Sequence, residues 1–363
     1  MKIREIDAAE NARFNDFIAG FPTGDAMQSF EWGEVKSKSG GWSPVRIVGE
    51  NDSGDVVASA LMLFRRIPKT GRTIAYIPRG PVIDTTDEVL VKEFAAGLSE
   101  AAQRRGAILI KIDPPVPVED SVSAKNIELA GFKLLEDSTG FGGTQPKCVM
   151  QLNLEPSLDE VFANFKPKWR YNIRLAEKKG VIIKTDCTKE DLPAFYDLLK
   201  VTAKRDRFLV RGYSYYETMY DMLVPAGHAK LFLSMYEGKP LGGALAFVIG
   251  DRAWYVYGAS GNEHRNLMPN HLMQWEMIKW AKSLNCRIYD FRGVSPRRGA
   301  SEDDDHLQGL NRFKEGFSAY YVEYLGEYDM VLSSAWYWLW VKVKPTLMSI
   351  IKRRARAAEN SEP

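Results

Sequence analysis

One arrangement of strands and helices occurs twice in this chain, with a spacing of roughly 180 residues. Residues 56–64 (VVASALMLF) and 73–77 (TIAYI) read as strands, 89–105 as a helix and 107–112 (AILIKI) as a further strand. The same order returns at 241–249 (LGGALAFVI), 253–257 (AWYVY), 271–284 and 286–291 (CRIYDF). Corresponding positions keep step: Ala60 and Ala244 are 184 apart, Tyr76 and Tyr255 are 179 apart, and so are Gly106 and Asn285. Each copy opens on helical patterning, at 11–18 and at 192–204; in the latter Leu192, Phe195, Leu198, Leu199 and Thr202 share a face. A repeat of this size implies two copies of one α+β unit.

Antiparallel strands set between helices and ending on a βα unit fit an N-acetyltransferase-like (GNAT-like) fold. The expected fold class is α+β: two GNAT-like domains in tandem, with mixed, mostly antiparallel sheets flanked by helices. A length of 363 residues accommodates two such domains. The expected boundaries are 1–150 for the first, completed by about 325–345 from the C-terminus, 151–324 for the second, and 346–363 for a basic tail.

Between the copies, Ser157-Leu-Asp-Glu160 has the form of a capping box and starts a helix. Pro167 interrupts it, and a second helix runs from about Lys168 to Lys179, ending at Gly180. On that helix Arg170, Arg174 and Lys178 recur every fourth residue, opposite an apolar stripe of Trp169, Ile173 and Ala176. Such a cationic face either binds phosphates or simply faces solvent.

Charge and cysteine content narrow the function. Lys plus Arg (49) nearly balances Asp plus Glu (47), so no global basic field coats nucleic acid. The imbalance is local. From residue 331 onward six basic residues meet two acidic ones, a net of +4, which leaves −2 for residues 1–330. In that tail Trp336, Tyr337, Trp338 and Trp340 precede Lys342, Lys344, Lys352, Arg353, Arg354 and Arg356. Aromatic rings beside cations suit a bilayer interface, or else pack the tail onto the body and leave a solvated end. Cys148, Cys187 and Cys286 are far apart and in no C-x-x-C spacing, which speaks against a disulfide framework or a zinc site. The acidic N-terminus and the lack of any ~20-residue apolar run indicate a cytoplasmic protein, at most peripheral at the membrane face.

The segment Phe165-Lys-Pro-Lys-Trp-Arg-Tyr-Asn-Ile-Arg-Leu-Ala-Glu-Lys-Lys-Gly-Val181 resembles the signature of the FemABX family, the tRNA-dependent aminoacyltransferases of peptidoglycan synthesis. Further blocks resemble that family in its order: Phe30–Lys36, Ile110–Pro115, Arg205–Tyr215, Tyr255–Ser260, Asp290–Val294 and Phe313–Phe317. Together they span the chain to about residue 345. The long charged heptad run that some members carry as a coiled-coil arm is missing, so the chain resembles the compact members.

The resemblance implies transfer of an amino acid from aminoacyl-tRNA to the side-chain amine of a precursor stem peptide, on lipid II or UDP-MurNAc-pentapeptide. It implies no cofactor beyond aminoacyl-tRNA as co-substrate, no metal, and a monomer. By the same resemblance Lys314, in Phe313-Lys314, faces the ester and stabilises the oxyanion, while the place of Asp113 at a strand end suits it to accept a proton from the acceptor amine or to bind that amine as a cation. Lys36 and Arg211 grip the acceptor's diphosphate and muropeptide, and Tyr215 and Tyr257 hydrogen-bond it; Arg170, Arg174 and Lys178 are the candidate tRNA face. Acyl transfer from an ester to an amine demands positioning and a stabilised oxyanion rather than a Ser or Cys nucleophile. His228, His264, His271 and His306 accordingly stand in no hydrolase motif. Asp113, at the end of the 107–112 strand before Pro114-Pro115, is expected to project from the sheet edge. The competing reading is an acyl-CoA-dependent N-acetyltransferase of the same fold, although neither copy offers a clear pyrophosphate-binding loop of the Gln/Arg-x-x-Gly-x-Gly/Ala form.

Overall fold

The computed structural model describes residues 1–135, 144–206, 208–296 and 305–341, with side chains from 309 onward in the last of these. The 346–363 tail and the centre of the 295–305 loop lie outside the described residues. In chain order the first half comprises β1 (Lys2–Ile6), α1 (Asn11–Gly20), α2 (Phe30–Gly40), β2 (Ser43–Glu50), β3 (Val56–Arg66), β4 (Thr73–Ile77), β5 (Val82–Ile83), α3 (Glu88–Arg104), β6 (Ala107–Ile112), α4 (Ser121–Leu129) and β7 (Lys133–Leu134). Then come β8 (Cys148–Asn153), α5 (Leu158–Asn164), α6 (Pro167–Lys178), β9 (Ile182–Lys184), α7 (Leu192–Asp206), α8 (Tyr213–Leu223), β10 (Ala229–Tyr236), β11 (Lys239–Ile249), β12 (Arg252–Ser260), α9 (Pro269–Ser283), β13 (Ile288–Gly293), α10 (Asp305–Glu315), β14 (Tyr320–Glu323) and β15 (Tyr328–Val331).

Two mixed sheets result, and they repeat one another. The first runs β1-β2-β3-β4-β6-β15-β7, with β5 beside β3; the second, read in the same sense, runs β9-β10-β11-β12-β13-β8-β14. Among the described residues each has a single parallel pair, β4 with β6 and β12 with β13, and all other neighbours are antiparallel. The strand beside each parallel pair comes from outside its copy: β8 precedes the second copy, and β15 follows it yet pairs with β6. The fold is thus tandem GNAT-like.

Apolar runs explain the central strands. Every residue of β11 from Leu241 to Ile249 is buried, as are Ala58 to Phe64 of β3, because helices cover both faces. Helix α3 packs Phe94, Leu98 and Ala102 on one face of the first sheet. On the other face α1 and α2 join a core shared by both halves, in which Phe14, Ile18 and Trp32 meet Phe195, Phe247 and Trp254. The rings of Trp32 and Phe247 lie edge to face with centroids 5.7 Å apart.

The helices between the copies follow their signals. Ser157 and Glu160 close a reciprocal capping box, Pro167 takes the first turn of α6, and Gly180 sits at φ +85° just past its end. Strands β1, β2, β9 and β10 were not expected from the pattern, since KIREI and SPVRIVGE mix charge with apolar residues and Ile182–Lys184 is only three residues long.

Candidate active site

Four of the candidate residues meet where α2 faces α8. Lys36, half-buried near the end of α2, donates from Nζ to the Tyr215 hydroxyl at 2.9 Å and lies 4.3 Å from the centroid of the Trp32 ring. The Arg211 guanidinium stacks 4.7 Å from the centre of the Tyr215 ring, and the Tyr257 hydroxyl lies near that of Tyr215. Burial, and then the nearby Arg211 charge, bring the Lys36 ammonium down to about 7.

A second group gathers around β13 and α10. Lys314 is 3% exposed, and its ammonium donates to the carbonyls of Gly293 at 2.6 Å and Arg292 at 3.2 Å. Burial lowers it to about 7, with Asp290 opposing and Arg292 adding to the shift. These carbonyls point at Lys314 because β13 is irregular there. Its register with β8 slips between Asp290 and Gly293, and Arg292 takes a left-handed φ of +62°. That conformation costs a non-glycine residue about 1–3 kcal/mol, and bulges of this kind re-aim side chains beside active sites. Asp290 fixes the turn by accepting from the Arg292 amide at 2.6 Å.

The Arg292 side chain reaches the first half. Its guanidinium donates to Gln145 Oε1 at 2.8 Å and lies 3.9 Å from Asp25. Gln145 lies near the Tyr76 hydroxyl, which donates to Asp113 Oδ2 at 2.7 Å. Lys314, Arg292, Gln145, Tyr76 and Asp113 are thus successive neighbours.

Asp113 departs from its expected setting. Strand β6 is not an edge strand, since β4 and β15 flank it, and the carboxylate turns inward to 2% exposure. Besides Tyr76 it accepts from the Arg79 amide at 2.6 Å. Burial raises it to about 6, against the opposing pull of Arg79 and the Tyr76 bond. An aspartate so enclosed orients its neighbours.

Phe313 is half-buried in an aromatic cluster, 5.1 Å from His271 and 5.3 Å from Phe317, and its carbonyl accepts from Trp169 Nε1 at 2.9 Å. A Cβ at Gly316 would overlap the Trp169 indole, so that glycine lets α6 close on the end of α10. On α6 the three cations are not equivalent. Arg170 is spent locally, donating to the carbonyls of Ala163 and Phe165 at the end of α5, and Arg174 lies 5.3 Å from the Phe162 ring centre. Arg174 and Lys178 are exposed.

Asp290, Arg292, Tyr76 and Arg79 escaped the reading of the sequence as individual site residues. The signal for the first two was available: a charged pair inside a strand, IYDFRG, that is otherwise apolar. Among the described residues no cluster of His, Cys, Asp and Glu could hold a metal ion.

Two GNAT-like sheets that repeat one another define a tandem GNAT-like protein, the class to which a protein of the clavulanic acid biosynthesis pathway also belongs by fold (TM-score 0.53, 13% identity, 92% of this chain and 98% of that one). The FemAB family model matches residues 9–237 and 226–344, and the chain belongs to that family. Lipid II:glycine glycyltransferases of Staphylococcus haemolyticus (strain JCSC1435) and Staphylococcus aureus (strain USA300) are 30% and 31% identical to it, each over 93% of this chain and 95% of the relative. The crystal structure of FemX superposes with a TM-score of 0.85 at 29% identity, covering 93% of this chain and 99% of that one. The alignment with the S. haemolyticus protein spans 404 positions, whereas 93% of 363 is about 338 residues. About 66 positions of that alignment therefore have no counterpart in this chain.

Proposed function

We propose that the protein transfers an amino acid from aminoacyl-tRNA to the side-chain amine of a peptidoglycan precursor stem peptide. The names of its relatives support glycine as the amino acid and lipid II as the acceptor. One observation carries this reading: two of the candidate residues, Lys36 and Lys314, are lysines each brought to about 7 by burial, and among the described residues neither forms a salt bridge. Cations kept out of water without a carboxylate partner favour an anionic ligand, which would restore the charge that burial penalises.

In this account Lys36 and Arg211 hold the acceptor's diphosphate, with Tyr215 and Tyr257 as hydrogen-bonding partners. The acceptor amine attacks the aminoacyl ester; the new C–N bond forms as the C–O bond to the tRNA ribose breaks, and the amine's proton ends on the departing hydroxyl. Lys314 meets the oxyanion of the tetrahedral intermediate. Asp113 acts through Tyr76, Gln145 and Arg292 to fix that geometry, and Arg174 and Lys178 meet tRNA phosphates. Incubating the protein with glycyl-tRNA and lipid II and weighing the acceptor tests the reading: the product should gain one glycyl residue, and an acceptor of unchanged mass refutes it.

A further inference from the structure

The turn joining β3 to β4, at residues 67–72, borders a hollow of about 680 Å³ lined by Val45, Phe64, Arg66, Lys69, Arg72 and Arg105. Arg105 is paired with Glu5 at 2.6 Å. Arg66, Lys69 and Arg72 are exposed, and none has a salt bridge among the described residues. Beside them lies a helical segment at residues 334–341. Trp336 anchors it, with its ring 5.6 Å from the Arg72 guanidinium, and the Tyr337 hydroxyl donates to Asp329 at 3.1 Å. The same segment leaves Trp338 64%, Leu339 42% and Val341 50% exposed. Trp338 and Val341, three residues apart, project from one side.

We propose that this end of the first sheet is a docking surface for an anionic lipid bilayer. Unpaired cations next to an exposed tryptophan and two exposed aliphatic residues match the composition of the bilayer interface, where rings sit at headgroup depth and cations meet lipid phosphates. A nucleic acid would use the cations but leave Leu339 and Val341 in water. The placement suits a membrane-bound acceptor. Strand β2 begins, β3 ends and β4 begins at this end of the sheet. Helix α2 delivers Lys36 to it one turn before Gly41, a left-handed residue at φ +64°, with Ser43 starting β2 just beyond. Docking is independent of the transfer reaction and is measured without substrate.

The test is sedimentation of the full-length protein with vesicles of phosphatidylcholine alone or mixed with phosphatidylglycerol, at low and high salt. The wild type should bind the anionic vesicles, bind the neutral ones far less, and release as salt rises. Arg66→Gln/Lys69→Gln/Arg72→Gln should weaken anionic-vesicle binding by on the order of a hundredfold. Trp338→Ala should weaken it with no change in salt dependence. All four side chains are exposed and only the Arg72 stack on Trp336 is lost, so thermal melts of the variants should stay within a few degrees of the wild type. Equal binding to both vesicle types, no binding to either, or unchanged binding by the triple variant overturns the proposal. So does a triple variant that loses tRNA binding but keeps vesicle binding, which would make this a nucleic-acid surface.

Discussion

Lys36 of α2 donates to the hydroxyl of Tyr215 of α8 at 2.9 Å, so one half of the duplicated fold supplies the cation and the other the phenol that orients it. That bond exists only because both halves are present. Lys314 depends on a similar crossing, since the Arg292 whose carbonyl it contacts reaches over to Gln145 and Asp25.

Lys36→Ala and Arg211→Ala should raise the acceptor's KM at least tenfold and change kcat little, because a phosphate clamp acts alike in ground and transition states. The Lys36 cation is present below about pH 7 and lost above it, so acceptor affinity in calorimetry should fall as pH rises through 7 in the wild type. Lys36→Ala should flatten that slope.

Lys314→Met should lower kcat by about 10² to 10³, with a small change in acceptor binding, since the charge matters most as the oxyanion forms. The ammonium is populated below about pH 7. The wild-type kcat should therefore carry a limb that descends as pH rises above 7, and the variant should lack it.

Asp113 makes a prediction about stability. Its folded pKa, about 6, lies above the ordinary 3.8, so the folded protein binds the extra proton between those values. The stability this contributes is present below about pH 4 and lost as pH rises through 6. Asp113→Asn does not titrate. Relative to the wild type it should gain up to about 3 kcal/mol between pH 4 and 7, read as a converging or crossing pair of Tm curves. Activity at pH 7 should fall even so, because Tyr76 and the Arg79 amide donate to different oxygens of Asp113 and asparagine places an NH2 donor where one of them stood.

Gly316→Ala should force the Trp169 indole away from the end of α10, at a cost of about 1–3 kcal/mol. The displacement lies two residues from Lys314, so kcat should drop in the same variant. Trp169→Ala in the Gly316→Ala background should add less than the two losses summed, a coupling that a double-mutant cycle would report.

The duplication was legible because β3 and β11 are uninterrupted apolar runs at a fixed offset, and a strand buried on both faces must look that way. The outer strands β1 and β9 sit at the sheet edges, where one side meets solvent and charge is tolerated, so their pattern carries little signal. Within the site, residues carried by recognisable blocks were named from the sequence and are found here in two linked groups. The links were not legible. Arg292 acts through a left-handed backbone and a contact with Gln145 more than a hundred residues away, and neither follows from local spacing. The inward turn of Asp113 was hidden for the same reason: its partners Tyr76 and Arg79 lie on and just after a neighbouring strand.

The most direct measurement offers the wild-type protein and Lys314→Met the same lipid II acceptor, with either a mixture of charged tRNAs or acetyl-CoA as donor, and weighs the product. The account predicts that the wild type adds an aminoacyl residue from charged tRNA and nothing from acetyl-CoA, and that Lys314→Met does so about 10² to 10³ more slowly. An acetylated product with no aminoacyl addition, or equal rates for the two proteins, would contradict it.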